Sequence, residues 1–156
     1  MGLAELHQGL TLVVVAGREL ARPLWLVRLG EAAGHVGQVA EGQRLLAEAL
    51  AAFAASGRGD LLAEAHRLQG ELWLRQIPPD TAQADACLQQ ALAIARQQQA
   101  RSWELRAALS LSRLWQQQGQ DVEARDLLAP IYGWFTEGFE TVDLQEAQVL
   151  LEQLAG

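Results

Sequence analysis

A unit of about 40 residues recurs along this chain, and this periodicity constrains its fold more than any other feature. Small side chains mark the first segment of each unit, at Gly30, Gly70 and Ser112, which stand 40 and 42 residues apart. The second segment repeats a small residue with a leucine four positions later: Gly42 and Leu46, Ala84 and Leu88, Ala124 and Leu128. Small and large side chains at helical spacing let two helices approach closely. The repeat therefore predicts pairs of packed helices.

Turn signals divide each unit into its two segments. They are GHVGQ at 34–38, IPPDT at 77–81 and QGQD at 118–121. Asp80 and Asp121 are predicted helix N-caps, and Pro78 and Pro79 are predicted to end the preceding helix. Leucine and alanine dominate and only 6% of the residues are aromatic, which favours helices over strands. The sequence therefore predicts an all-α fold of helix–turn–helix units, with the size expected of a helical-repeat array.

These positions resemble the consensus of the tetratricopeptide repeat (TPR). The residues that carry the resemblance are Leu29, Gly30, Ala33, Gly42, Leu46 and Ala49 in one unit and Gly70, Trp73, Ala84, Leu88 and Ala91 in the next. The third unit keeps Leu111, Trp115, Ala124 and Leu128. It has Ser112 where the other units have glycine and Ile131 where they have alanine, which predicts a looser helix contact there.

The segments AEAHRLQGELWLRQ and LLAPIYGWFTEGF are similar to the carboxyl-terminal TPR region of large bacterial regulators. Those regulators carry a nucleotide-cyclase or DNA-binding output domain and a signalling NTPase domain. The resemblance implies a TPR-like α–α superhelix whose first helices line a concave face that binds peptides.

We expect one TPR-like solenoid domain of about eight antiparallel helices over residues 1–156. Its predicted parts are the second helix of an incomplete repeat at 1–16, complete repeats at 17–56, 57–98 and 99–138, and a capping helix at 139–156. Asp143 and Glu146 have the spacing of a capping box at the start of that last helix. Its predicted apolar stripe contains Leu144, Ala147, Leu150, Leu151 and Leu154.

The concave face implied by the resemblance would bind a protein or peptide partner. Its predicted residues are Glu31, His35, Glu64, Arg67, Glu71, Arg75, Arg106, Arg113 and Gln116. Arginines gathered on one concavity would favour an acidic peptide, because guanidinium groups bind carboxylates bidentately. The alternative is that Glu64, Glu71 and Glu104 pair with these arginines at three- or four-residue spacing and merely solubilise the face. The chain has no lysine and no asparagine, so the family's carboxylate clamp is not carried over.

Charge and cysteine usage narrow the function further. A net charge of −7 argues against direct nucleic-acid binding or an anionic membrane surface. Cys87 is the single cysteine and is predicted to be a buried, inert side chain. His7, His35 and His66 lie on different units without ligand-spaced neighbours, so we expect no metal site. We also expect no cofactor, no membrane span, no enzymatic activity and a cytoplasmic location.

Tryptophans are predicted to pack in the core. Trp73 and Trp115 stand three residues after the small residues of their units, and Trp134 aligns with Ala52 and Ile94 of the other second helices.

The expected function is a non-enzymatic interaction or scaffold module of a bacterial signalling or transcriptional regulator. The alternative is a small-molecule-sensing regulatory domain that closes round a ligand. In the repeat register Val14 aligns with Arg96 of a later unit, and Val15 aligns with Gln97 and Glu137. Both valines are therefore apolar at positions that accept polar side chains in later units. Exposed apolar surface of this kind predicts an interface, either with a preceding repeat of a parent protein or with a second copy. For the isolated chain we expect a homodimer through the amino-terminal helix.

Overall fold

The computed structural model describes residues 22–56, 59, 61–138 and 141–155, and in these ranges it holds seven α-helices and no strands. The helices are α1 (Arg22–His35), α2 (Val39–Ser56), α3 (Leu62–Arg75), α4 (Thr81–Gln97), α5 (Arg101–Gln117), α6 (Asp121–Gly133) and α7 (Val142–Ala155). The all-α prediction is confirmed for this part of the chain. Two helices fall in each of the ranges 17–56, 57–98 and 99–138, and one falls in 139–156. The helix expected at 1–16 lies outside the described residues.

The chain divides into two compact units, residues 1–87 and 88–156, and the boundary falls within α4. We call them the amino-terminal and the carboxyl-terminal unit. The described part of the first contains α1, α2, α3 and the start of α4; the second contains the rest of α4 with α5, α6 and α7.

In the amino-terminal unit, α1 and α2 approach each other at two glycines. A Cβ atom added to Gly30 would lie 2.7 Å from Leu46 Cγ and 3.3 Å from the carbonyl oxygen of Gly42. A Cβ added to Gly42 would lie 2.9 Å from Leu72 Cδ1 and 3.1 Å from the carbonyl oxygen of Gly30. Leu46 and Leu72 are buried in the same core. The close approach predicted from these small residues is therefore confirmed.

In the carboxyl-terminal unit, Ser112 and Ala124 hold the positions equivalent to Gly30 and Gly42. Both are fully buried, and Ser112 Oγ donates a hydrogen bond to the carbonyl oxygen of Ala124 at 3.2 Å. The bond satisfies the hydroxyl inside the core, where an unpaired polar group would be destabilising. Ile131 is also buried. Burial of Ser112 and Ile131 does not test how closely the helices approach, so the looser contact between α5 and α6 stays a prediction.

Helix ends agree with the sequence signals in part. Asp80 caps α4, because its Oδ1 accepts a hydrogen bond from the backbone N–H of Gln83 at 3.0 Å. The N-cap of α6 is Gln120, and Asp121 lies inside the first turn. Asp143 likewise lies inside α7, where the Thr141 carbonyl accepts the bond from Gln145 N–H. Since α6 begins at Asp121 itself and α7 begins at Val142, neither aspartate precedes its helix, and the Asp121 cap and the Asp143 capping box are wrong.

The predicted turns end the helices where expected. α3 ends at Arg75, and Gln76 is already extended ahead of the two prolines, with ψ of 149°. Gly37 and Gly119 have φ of +83° and +79° in the turns after α1 and α5. Glycine adopts this left-handed conformation without the steric penalty of a Cβ. Of the helices in the described residues, none has the length and apolar character needed to cross a membrane.

Candidate interaction clefts

The nine residues predicted for the concave face fall in both units. Glu31, His35, Glu64, Arg67, Glu71 and Arg75 belong to the amino-terminal unit, and Arg106, Arg113 and Gln116 belong to the carboxyl-terminal unit. Glu31 is half-buried on α1, and His35 is exposed at its end. The remaining residues make contacts that decide what each can bind.

Arg67, the first arginine of the predicted face, belongs to an ion-pair cluster on α3. The side chains of Glu64 and Arg67 are only 7% and 12% exposed, and Arg67 Nε donates a hydrogen bond to Glu64 Oε1. Arg67 Nη1 also lies 3.8 Å from Glu71 Oε1. The Arg67 guanidinium is thus largely withdrawn from solvent and faces two carboxylates of its own helix.

Arg75 has a different partner from the one that sequence spacing suggests. It stands four residues after Glu71, but its Nη1 donates a hydrogen bond to the carbonyl oxygen of Gly34 at 2.8 Å. That carbonyl belongs to the last turn of α1, where backbone oxygens lack partners within the helix. Arg75 therefore joins the end of α3 to the end of α1.

Helix α7 supplies the partners of the three predicted residues on α5. Arg113 Nη2 donates to Glu146 Oε2 at 2.8 Å, and Arg106 Nε lies 3.7 Å from Asp143 Oδ2. Gln116 Nε2 donates to Gln153 Oε1 at 3.2 Å. Sequence reasoning missed these bridges because their members are 33 to 37 residues apart, beyond any helical spacing.

Each arginine of the predicted face therefore already contacts a carboxylate or carbonyl of the same chain. This geometry favours the alternative in which local acidic groups neutralise the arginines. Arg67 pairs with Glu64 and Glu71 at the expected spacing, whereas the other arginines of the face have partners outside their own helix. Glu104 illustrates the difference. Its side chain is 4% exposed and accepts a hydrogen bond at 2.9 Å from Arg96 Nε of the preceding helix, not from an arginine of the predicted face.

Clefts in both units contain residues of the predicted face. The α5–α7 cleft, in the carboxyl-terminal unit, has a volume of about 530 Å³ and is lined by Arg113, Gln116, Gln117, Val142, Gln145, Glu146, Val149, Leu150 and Gln153. The α2–α3 cleft, in the amino-terminal unit, has a volume of about 970 Å³ and is lined by Gly37, Gln38, Val39, Ala40, Glu41, Gln43, Trp73, Arg75, Gln76 and Ile77. Three of the predicted residues, Arg75, Arg113 and Gln116, therefore line clefts.

The tryptophans are less buried than expected. Trp73 and Trp115 are half-buried. Trp134 is 43% exposed, and the Arg101 guanidinium carbon lies 5.2 Å from the centroid of its ring. Its core assignment is wrong because α6 ends at Gly133, so Trp134 does not continue the buried stripe of that helix.

Burial shifts the pKa of two side chains, Cys87 and His66, in opposite directions. It raises the pKa of the half-buried Cys87 thiol, against a smaller opposite effect of its hydrogen bond with Trp73, so the thiolate is disfavoured. Burial lowers the pKa of His66. In the part of the chain that the structure describes, no three His, Cys, Asp or Glu side chains lie together so that they could hold a metal ion.

Val14 and Val15, predicted to mediate self-association, lie outside the described residues. The chain matches no protein-family model, and no curated protein matches it in sequence.

Proposed function

We propose that this chain is a non-enzymatic, TPR-like interaction module that serves a bacterial signalling or transcriptional regulator. The observation that carries the proposal is one helix crossing used in both units. Gly30 meets Gly42 across α1 and α2, and Ser112 meets Ala124 across α5 and α6. Arrays of repeated helix pairs present extended surfaces that bind other proteins.

The two clefts support binding rather than catalysis. Their lining residues include no serine, cysteine, threonine or histidine, and the two carboxylates among them, Glu41 and Glu146, are each bonded to an arginine. The charged side chains of the α5–α7 cleft, Arg113 and Glu146, are bonded to each other. Such walls offer contact area and hydrogen bonds to a partner.

The α2–α3 cleft supports the alternative function, a small-molecule sensor. Its volume of about 970 Å³ lies within the range of small-molecule pockets, and its walls combine Trp73 with Ile77 and polar side chains. Aromatic and aliphatic surface with a few polar groups is typical of such pockets.

A thermal-shift screen of the chain against a metabolite panel separates the two functions. A ligand at 100 times its Kd stabilises the folded state by about 2.7 kcal/mol, which raises the Tm of a chain of this size by several degrees. We expect no metabolite to do so. A shift of about 5 °C or more that is lost in Ile77→Glu, whose side chain is 94% exposed, would instead establish the sensor.

The assignment to a regulator is tested by the adjoining coding sequence. We expect it to encode a signalling NTPase domain together with a nucleotide-cyclase or DNA-binding domain. Adjoining genes for unrelated enzymes would contradict the assignment while leaving the interaction function open to the binding experiments.

A further inference from the structure

We propose that the α5–α7 cleft binds an extended, uncharged peptide segment with small aliphatic side chains. The inference rests on the proposed interaction function and names the class of partner that the cleft would accept. It replaces the acidic peptide that the arginines alone suggest.

The charge of the cleft argues against an ionic partner. Arg113 and Glu146 are bonded at 2.8 Å, and their side chains are 44% and 45% exposed. A peptide carboxylate that reached Arg113 would also meet Glu146, so attraction and repulsion offset each other. The chain as a whole carries a net charge of −7, which adds a further repulsion of acidic partners.

Amide side chains line both walls of the cleft. Gln116 and Gln117 belong to α5, and Gln145 and Gln153 belong to α7. Gln116 and Gln153 are bonded to each other at 3.2 Å, which uses one donor of the first amide and one acceptor site of the second and leaves further hydrogen-bonding capacity on both. A glutamine amide both donates and accepts hydrogen bonds. The backbone of an extended peptide presents N–H and C=O groups without internal partners, whereas those of a helix already bond to each other. The amides therefore suit an extended segment better than a helical one.

Apolar side chains provide the rest of the contact surface. Val142 and Val149 are 66% and 53% exposed, and the buried Leu150 of the same helix also lines the cleft. Seven residues separate the two valines, so they share one face of α7 about 10 Å apart. Aliphatic side chains of a peptide would bury this surface favourably, whereas charged side chains would lose hydration there without gaining a partner.

Selection from a random ten-residue peptide display library on the immobilised full chain tests the proposal. Enriched peptides are then synthesised with a fluorophore, and their Kd is measured by polarisation. We expect uncharged sequences whose affinity changes little between low and high salt, since no ion pair is formed. Val149→Glu should weaken binding by about tenfold or more, because the new charge would be desolvated against an aliphatic partner.

Val122→Glu is the matched control. Val122 is 58% exposed on α6 and does not line the cleft, so this variant should bind like the wild type. Both variants are checked for an unchanged helical circular dichroism spectrum. Replacing both members of the ion pair, with Arg113→Gln and Glu146→Gln together, should leave the affinity within about threefold, since the cleft keeps its net charge of zero.

Three results would overturn the proposal. If the enriched peptides were acidic and bound Arg113→Gln more weakly than the wild type, the partner would be an acidic peptide and not an uncharged one. Peptides that bind Val149→Glu as well as the wild type would move the site elsewhere and leave the interaction function standing. Failure to enrich any peptide would remove both this site and peptide binding from the proposed function.

Discussion

At the residue scale, the crossing of α1 and α2 depends on the absence of a side chain at Gly30. A Cβ there would overlap Leu46, which is fully buried and surrounded by core residues, and would press on the backbone of Gly42. A well-packed interior leaves little room for such a shift. The helix propensity of alanine acts in the opposite direction, so the two effects must be compared.

We predict that Gly30→Ala destabilises the chain by about 1–2 kcal/mol, because overpacking outweighs a gain of roughly 1 kcal/mol in helix propensity. Urea unfolding followed by circular dichroism measures the loss. Gly133→Ala is the matched control, since a Cβ on that exposed glycine of α6 meets nothing within 4 Å. The control should be neutral or stabilising. Equal effects of the two substitutions would contradict the close crossing.

The Arg96–Glu104 pair yields a second prediction at this scale. Arg96→Gln should destabilise the chain by about 1–3 kcal/mol, because it leaves a buried carboxylate without its charged donor. Adding Glu104→Gln should recover part of the loss in a double-mutant cycle. Arg44→Gln should have a much smaller effect, since the carboxylates that Arg44 contacts are 32% and 39% exposed and remain hydrated. If Arg44→Gln lowered the free energy of unfolding as much as Arg96→Gln, burial of the carboxylate could not be the cause of the Arg96→Gln effect.

His66 makes stability depend on pH. Burial lowers its pKa in the folded chain below the ordinary 6.5, so near pH 6 the unfolded state binds more protons than the folded state. The free energy of unfolding therefore falls as the pH is lowered through 6.5, and the fall stops below the folded pKa. We predict that His66→Gln reduces the loss of stability between about pH 7.5 and pH 5.5. His35→Gln, at an exposed histidine, serves as the control. If His66→Gln had the same dependence of stability on pH as the wild type, the contribution of His66 to that dependence would be excluded.

At the scale of the element, α7 has two sides with different contacts. Its buried side provides most of the apolar stripe that the sequence predicts, namely Leu144, Ala147, Leu150 and Leu154. Leu151, the fifth predicted member, is half-buried. Its polar side supplies Asp143, Glu146 and Gln153 to α5. The same helix therefore neutralises the arginines of α5 and forms one wall of the α5–α7 cleft.

Helix α4 depends on a single side-chain cap. We predict that Asp80→Ala destabilises the chain by about 0.5–2 kcal/mol, because the N–H of Gln83 loses its acceptor. Asp80→Asn keeps an oxygen at that position and should remain close to the wild type. Thermal unfolding of both variants measures the difference. If the alanine variant unfolds like the asparagine variant, the cap does not contribute to the stability of α4.

At the scale of the whole molecule, each compact unit has apolar residues of its own in its core. Leu29, Leu46 and Leu72 are buried in the amino-terminal unit, and Leu105, Leu111 and Leu128 are buried in the carboxyl-terminal unit. In helical-repeat arrays each pair of helices contacts only its neighbours, so local loosening need not spread along the chain.

We therefore predict that Gly30→Ala accelerates amide hydrogen exchange in α1 and α2 more than in α5 and α6. Arg96→Gln should have its larger effect in α5. Exchange measured by mass spectrometry, peptide by peptide, reports these local openings. A uniform acceleration along the described helices in both variants would show that the chain opens as one cooperative unit.

The features that the sequence alone determined are those set by residues three or four positions apart and by the recurrence of these local patterns every 40 to 42 residues. The helix pairs, the small residues at Gly30 and Gly42, the Asp80 cap and the turn glycines follow from such local patterns, because backbone hydrogen bonds and helix faces repeat over that distance. The proposed superhelix goes beyond these signals, since it concerns how successive pairs stack.

Tertiary packing decided what the polar side chains contact. Arg113 meets Glu146, and Arg75 meets the Gly34 carbonyl, across 33 and 41 residues of sequence. An arginine side chain is long enough to bind an acceptor on another helix that packing brings close. The spacing of residues along one helix does not indicate which acceptor that is. The exposure of Trp134 was also not predictable from the apolar pattern. It depends on where α6 ends, and the spacing of apolar residues does not determine that position. Whether an arginine is available to a partner is therefore a property of the packed structure, whereas the helix on which it lies is a property of the sequence.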